Sequence, residues 1–246
     1  MSWRDFWNGK TTIYANQRHQ EVHYRLIAED IVQHIGTPRD RVLDFGCGEA
    51  RSATLVASAC GELVLCDAAE SVRVRVAERC ADLANVSVMS PETLERLPAA
   101  SFDVIVVNSV IQYLSRPELE RWLSTWRRLL SLDGRLVIGD IVPRSVGPVA
   151  DALALLKFAR THGFLLAASL GLVRTALSDY RRKRAELGLL QLEEDEISEI
   201  ARRSGLCVAR SPQNIGHNPS RLTVVARPMF ANVPQSEPVL ETYAQM

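Results

Sequence analysis

Val42-Leu43-Asp44-Phe45-Gly46-Cys47-Gly48 is a short apolar run that ends in an acid and then places two glycines around one residue. A buried strand that must turn sharply, with its backbone pressed against a ligand, has this form. Glycine supplies the positive-φ geometry and leaves open the space a Cβ would fill. A second run, Glu62-Leu63-Val64-Leu65-Cys66-Asp67, ends in an acid 23 positions after Asp44. A ribose-binding acid at the tip of the next strand stands at about 20 residues' distance. Together the two runs predict a nucleoside-binding α/β fold.

The first loop narrows the nucleoside. A dinucleotide fold uses Gly-x-Gly-x-x-Gly, with a helix N-terminus facing a pyrophosphate. Here Arg51 holds the third glycine's place and Asp44 sits two residues before the first glycine. A carboxylate there repels a pyrophosphate and suits a ligand with positive charge, such as the ammonium and sulfonium of S-adenosylmethionine. On Asp44-Phe45-Gly46-Cys47-Gly48-Glu49-Ala50 the chain resembles the class I S-adenosylmethionine-dependent methyltransferases, whose first motif is an acid, any residue, then Gly-x-Gly-x-Gly. Ala50 replaces the last glycine.

The 246 residues suffice for one α/β domain with an insertion. Because 29 basic side chains balance 29 acidic ones, no global attraction to nucleic acid is expected. The five cysteines form no Cys-x-x-Cys pair and read as buried thiols of a reducing compartment. The first residues carry no secretory pattern, and no apolar stretch approaches the roughly 18 residues of a membrane span. A cytoplasmic protein is the expectation.

Apolar spacing predicts a helix over 18–34, broken by Thr37-Pro38. Strands at 41–45, 63–66, 86–89 and 104–107 then alternate with helices at 50–59 and 68–81. Ser115-Arg116-Pro117-Glu118 reads as a capping box opening a helix to residue 130. Asp133-Gly134 reads as a tight turn into a fifth strand at 135–139. This alternation implies a parallel sheet with helices on both faces. Residues 145–205 carry helical signals alone before β-like runs at 206–211 and 222–226.

The resemblance accounts for that ending. It implies a Rossmann-like, doubly wound, seven-stranded sheet, mostly parallel with an antiparallel last strand, and a helical insertion between strands five and six. The expected organisation is a helical lid segment over 1–36, the methyltransferase domain over 37–228 with its insertion at 145–204, and a tail over 229–246.

The same resemblance assigns cofactor contacts. Asp44 would hold the methionine ammonium, and the backbone of Gly46, Cys47 and Gly48 would pass beneath the amino-acid moiety. Asp67 would accept both ribose hydroxyls. Ala68 would border the adenine, with Glu92 the candidate for its amino group after Pro91. Asn108 would line the methionine end, with Gln112 and Tyr113 beyond it. Tyr14 and Arg18, in an N-terminal segment that also holds Trp3, Phe6 and Trp7, would reach the cofactor's carboxylate or cover the pocket.

Methyl transfer asks chiefly for alignment. A general base assists oxygen or nitrogen acceptors, and His217 and Tyr113 are the candidates, with His162 in the insertion. His19 and His23 share a helical face, yet without a third ligand no metal site is expected. The apolar insertion, followed by Arg181-Arg182-Lys183-Arg184, reads foremost as two helices packing on each other with a solvated basic end. A hydrophobic or lipid-linked acceptor, or peripheral contact with an anionic membrane, is the alternative reading. Asn108-Ser109-Val110-Ile111 lacks the Asn/Asp-Pro-Pro-aromatic turn of base methylation, so nucleic acid is not the expected substrate. The expected function is methyl transfer to an O, N or C atom of a small acceptor. The alternatives are a nicotinamide-dependent oxidoreductase and a non-catalytic S-adenosylmethionine-binding protein.

Overall fold

The computed structural model describes residues 14–176 and 188–229. Trp3, Phe6, Trp7, the basic run at 181–184 and residues 230–246 of the expected tail lie outside the described residues. In chain order the elements are α1 (Gln17–Val32), β1 (Arg41–Phe45), α2 (Ala53–Ala57), β2 (Glu62–Cys66), α3 (Glu70–Arg79), β3 (Val86–Met89), α4 (Pro91–Leu94) and β4 (Phe102–Asn108). A 3-10 turn (Ile111–Tyr113) leads into α5 (Arg116–Leu129) and β5 (Leu130–Ile141). They are followed by α6 (Pro148–His162), α7 (Leu165–Ala176), α8 (Glu194–Arg203), β6 (Leu206–Arg210) and β7 (Leu222–Pro228).

The strands form one seven-stranded sheet of order β3-β2-β1-β4-β5-β7-β6. β1 to β5 pair in parallel, and β7 runs antiparallel between β5 and β6. The strand order reverses between β1 and β4. In a doubly wound sheet a crevice opens outside the carboxyl ends of the strands at that point.

Side chains of a strand alternate between faces, which splits the core in two. Leu43, Phe45, Ile105 and Val107 face Trp122, Leu123 and Trp126 of α5 and Ile197 and Ile200 of α8. Val42, Val104 and Val106 face Ala28 and Ile31 of α1, Val56 of α2 and Val76 of α3. Removing one of these fully buried aliphatic side chains costs about 2–5 kcal/mol. Asp44 shares the parity of Val42, so its carboxyl lies beneath α1 and α2 instead of facing α5.

The capping box at Ser115 is present: its side chain accepts from Glu118 N–H, and the Glu118 carboxylate accepts from Ser115 N–H at 2.8 Å. Two expectations are corrected. The helix expected over 50–59 shrinks to Ala53–Ala57, because Ala50 adopts φ +41° and the chain turns before it can wind. Asp133-Gly134 does not precede the fifth strand but lies inside it: β5 spans Leu130 to Ile141, and at this dipeptide its pairing with β4 jumps from Leu130 to Arg135. The extra residues are absorbed as an irregularity in register between Phe102 and Val104.

Of the residues expected in the insertion, α8 returns to the sheet and places Ile197, Ile200 and Ala201 in its core. α6 and α7 stand apart. They pack on each other and on α1 through Phe158, Ala159, Phe164 and Ala168, with Val22 and Leu26 against them. Their outer faces leave apolar side chains in solvent, Val149 at 73%, Leu166 at 84% and Leu170 at 63% exposed. No helix among the described residues is long and apolar enough to cross a membrane.

Candidate cofactor and acceptor site

A cavity of about 750 Å³ opens at the carboxyl edge of the sheet. It is lined by the tips of β1 (Asp44 to Gly48), β2 (Cys66 to Ala69), β4 (Asn108 to Val110) and β5 (Asp140).

The first loop is bent as its composition predicts. Gly46 stands at φ +79° and Gly48 at φ +55°, both in the left-handed region. A Cβ on Gly46 would lie 2.2 Å from Val110 Cγ2, and one on Gly48 would lie 2.8 Å from the Tyr24 hydroxyl. Ala50, at φ +41°, occupies the same kind of conformation, so the place where the family motif carries its last glycine still asks for one. The loop is anchored from three directions. Glu49 N–H donates to the Tyr24 hydroxyl at 2.9 Å, Gly48 N–H donates to Asp67 Oδ2 at 3.1 Å, and Arg75 and Arg79 hold the Glu49 carboxylate at 2.6 and 3.0 Å.

Asp44 and Asp67 give the cavity its charge. Burial, reinforced by the neighbouring Asp67, pushes the Asp44 carboxyl up to about 7. Burial also raises Asp67, against the pull of two backbone donors, Ala69 N–H at 2.8 Å and Gly48 N–H. These donors occupy one lone pair on each Asp67 oxygen and leave the others available. The Cys47 thiol between them is pushed well up by burial and both carboxylates, and stays protonated. Two desolvated acids side by side are costly unless something positive lies between them. The ammonium and sulfonium of S-adenosylmethionine fit that requirement, and the ribose hydroxyls fit the free lone pairs of Asp67.

Asp44, Gly46, Cys47, Gly48, Asp67, Ala68, Asn108 and Tyr14 all line the cavity, as do Tyr113 and His217. Two expected residues are not brought in. Pro91 at the first position of α4 forms the wall, and Glu92, one position on, is exposed. Arg18 lies on the outer face of α1, exposed to solvent. His162 is packed on Phe158, with ring centroids 4.6 Å apart, and lies outside the lining. His19 and His23 have ring centroids 6.2 Å apart, and His19 accepts Ala15 N–H on Nδ1 while stacking on Phe164 at 4.8 Å. That is a packing role between α1 and α7.

Several lining residues were not assigned to the site from the sequence. Tyr24 and His23 arrive from α1, and Arg221 from the approach to β7. Ser109 and Asp140 sit at adjacent strand tips, both at φ +56°, with the Ser109 hydroxyl donating to Asp140 Oδ2 at 2.8 Å. Non-glycine residues in that region are strained and gather at functional sites. Asp140 directly follows the strand expected at 135–139, and that position alone could have flagged it.

His217 lies in the loop between β6 and β7, where Gly216 N–H donates to Asp30 of α1 at 2.8 Å. Its ring stacks on Phe158 at 4.7 Å and meets the His23 ring at 6.3 Å. Burial lowers the pKa of His217, Asp151 opposing and Arg221 adding to the effect; the ring is a neutral imidazole at pH 7. Burial, then His217 and His19, hold His23 at about 3.

Residues 42–134 match the family model of the methyltransferase domain. Among solved structures, the chain resembles magnesium protoporphyrin IX methyltransferase from Synechocystis with bound SAH, at 18% identity and a TM-score of 0.55, over 91% of this chain and 90% of that one. It resembles the Burkholderia thailandensis 1,6-didemethyltoxoflavin-N1-methyltransferase, with its bound substrate and S-adenosylhomocysteine, at 18% identity and a TM-score of 0.56, over 84% and 78% of the two chains. It also resembles the complex of the Haloferax volcanii Trm112 activator with a methyltransferase, at 12% identity and a TM-score of 0.62, over 94% and 99%. No curated protein matches the chain by sequence. At these identities the structural likenesses speak to the fold, and the family match speaks to the segment that carries the glycine loop and Asp67. Residues 42–134 thus match a methyltransferase domain, and the chain as a whole shares the fold of these methyltransferase structures.

Proposed function

We propose that the protein transfers a methyl group to an oxygen or nitrogen atom of a small-molecule acceptor, with His217 receiving the acceptor's proton. One observation carries this reading. The cavity lined by Asp44 and Asp67 also has Tyr14, His23, Tyr113 and His217 in its wall. Cavities of this size accommodate drug-sized ligands. The similar Burkholderia enzyme has a small molecule and S-adenosylhomocysteine bound in one structure, a parallel for two neighbouring ligands.

Asp44 would hold the ammonium of the methionine moiety, and Asp67 the ribose hydroxyls. When bound, S-adenosylmethionine supplies an electrophilic methyl whose carbon–sulfur bond breaks with its electron pair going to sulfur as the acceptor's lone pair forms the new bond. The chain's own work is to align the two partners, exclude water, and accept a proton on a ring nitrogen of neutral His217, which passes it to solvent. A nicotinamide dinucleotide fits poorly, because its pyrophosphate would meet the buried Asp44–Asp67 pair.

The test is calorimetric titration with S-adenosylhomocysteine, followed by mass spectrometry of an acceptor panel incubated with S-adenosylmethionine. Binding with methylated product supports the reading. Binding without product across a broad panel would mark a binding protein, and no binding by folded protein would sink it.

A further inference from the structure

α6 and α7 each bury one face and leave the other bare. Phe158 and Ala159 of α6, with Phe164 and Ala168 at α7, turn toward α1. On the opposite side of α6, Val149, Leu153, Lys157 and Arg160 follow one another at the spacing that gathers side chains on one helical face, and all four are exposed. Leu153 alone is 63% exposed. On α7 the exposed side chains are Leu165, Leu166, Ser169 and Leu170. Only Gly163 and Phe164 join the two helices, which pack on each other, so the bare faces adjoin.

This surface is apolar and basic at once. Asp151 is the one acid in the two helices, and it lies partly buried against Arg221 and Asn218. Lys157 and Arg160 therefore stand among the leucines with no acid on their own face. The sequence carries the same bias: residues 148–184 hold seven basic and two acidic side chains, in a chain whose 29 basic and 29 acidic residues balance.

Charge decides among the occupants of such a face. A second copy placed symmetrically would bring the same patch to itself, with no acid to meet Lys157 and Arg160. A neutral apolar partner would strip water from both cations without pairing them. A lipid surface satisfies both halves: leucine side chains enter the acyl boundary while the long Lys and Arg stems reach back to phosphates. We propose that the outer face of α6 and α7 docks the protein on anionic membrane, inserting Leu153, Leu166 and Leu170 and placing Lys157 and Arg160 on lipid phosphates. No helix among the described residues is long enough to span, so the contact is peripheral. Phe158, on the inner side of α6, stacks on His217 at 4.7 Å, and the docked helix thus abuts the cavity wall. The docking does not depend on methyl transfer.

The test co-sediments the full chain with vesicles of phosphatidylcholine alone and with vesicles of equal parts phosphatidylcholine and phosphatidylglycerol. Binding is expected to be at least tenfold stronger on the anionic vesicles and to weaken in high salt. Lys157→Gln with Arg160→Gln should weaken it by about fivefold per charge removed. Leu166→Gln with Leu170→Gln should weaken it at least tenfold. Leu132→Gln, at a position 68% exposed on β5 and outside this face, should leave it unchanged. Hydrogen exchange of the wild type should slow across α6 and the first turns of α7 when anionic vesicles are added, a readout that stands even if a variant fails to fold. Equal binding to both vesicles, no loss in either paired variant, an equal loss in Leu132→Gln, or unchanged exchange in α6 and α7 would each overturn the proposal. A vesicle-free dimer in sedimentation velocity, dissolved by Leu166→Gln with Leu170→Gln, would overturn it too by assigning the face to a second copy.

Discussion

Cofactor binding should be strongly pH-dependent, and Asp44 sets the sign. Its carboxyl titrates at about 7 in the free protein, from burial first and the neighbouring Asp67 second. A bound ammonium requires the ionised form, so below pH 7 each binding event must expel a proton. Affinity should then fall close to tenfold per pH unit, about tenfold between pH 8 and 6 and roughly 30-fold by pH 5.5, or about 1.4 and 2 kcal/mol. In the free fold an acid with a raised pKa works the other way. Ionised at pH 8, Asp44 costs roughly 4 kcal/mol of stability, a cost relieved as pH falls through 7 toward the ordinary carboxyl range. The free protein should therefore gain stability on mild acidification from this group, while the increment that S-adenosylhomocysteine adds to the melting temperature shrinks. Calorimetry at pH 8, 7, 6 and 5.5, in buffers of contrasting ionisation enthalpy, reads both the affinity and about one proton released near pH 6. Asp44→Asn should bind weakly with a nearly flat profile. A wild-type affinity constant within threefold across this range, or the full slope retained in Asp44→Asn, would refute the reasoning.

Three further outcomes are expected. Gly46→Ala should lower stability by about 2–3 kcal/mol in a denaturant titration and abolish S-adenosylhomocysteine binding, since its Cβ would sit 2.2 Å from Val110 Cγ2 on a backbone at φ +79°. His217→Ala should slow methyl transfer by roughly 100-fold or more while leaving S-adenosylhomocysteine affinity within threefold, the mark of a proton acceptor and not of a cofactor ligand. Arg221→Met should cost about 3 kcal/mol by thermal or chemical melt, because it strands the Asp151 carboxylate beside Asn218 in a largely buried setting.

Much of the fold was legible because its signals are local. The apolar strands at 41–45 and 86–89, the acid at each of the first two strand tips, and the Ser115 capping box are written in neighbouring residues and recur at the expected places. What sequence concealed depends on chain segments meeting from afar. Tyr24 reaches Glu49 N–H across 25 positions, and Asp30 reaches Gly216 across 186. Neither contact leaves a trace in periodicity. Asp133-Gly134 marked an irregularity and not the start of the strand: Leu130 already pairs with Phe102, and regular pairing resumes at Arg135. Glu92 and Arg18 were assigned through the resemblance, and on helices one position decides which face a side chain takes.

The segment that matches a methyltransferase domain, 42–134, supplies Asp44, Asp67 and the glycine loop, yet only part of the cavity's lining. Tyr14, His23 and Tyr24 come from before it, and Asp140, His217 and Arg221 from after it. The cavity's lining is thus drawn from three stretches of the chain, and Tyr24 of α1 ties the first of them to the glycine loop through Glu49 N–H. On the proposed function, a chimera that keeps 42–134 and Tyr24 while exchanging the rest of α1 together with the β6–β7 loop would be a route to a new acceptor with the glycine loop still anchored. The two must be exchanged as a set, because the Asp30–Gly216 hydrogen bond ties them to each other.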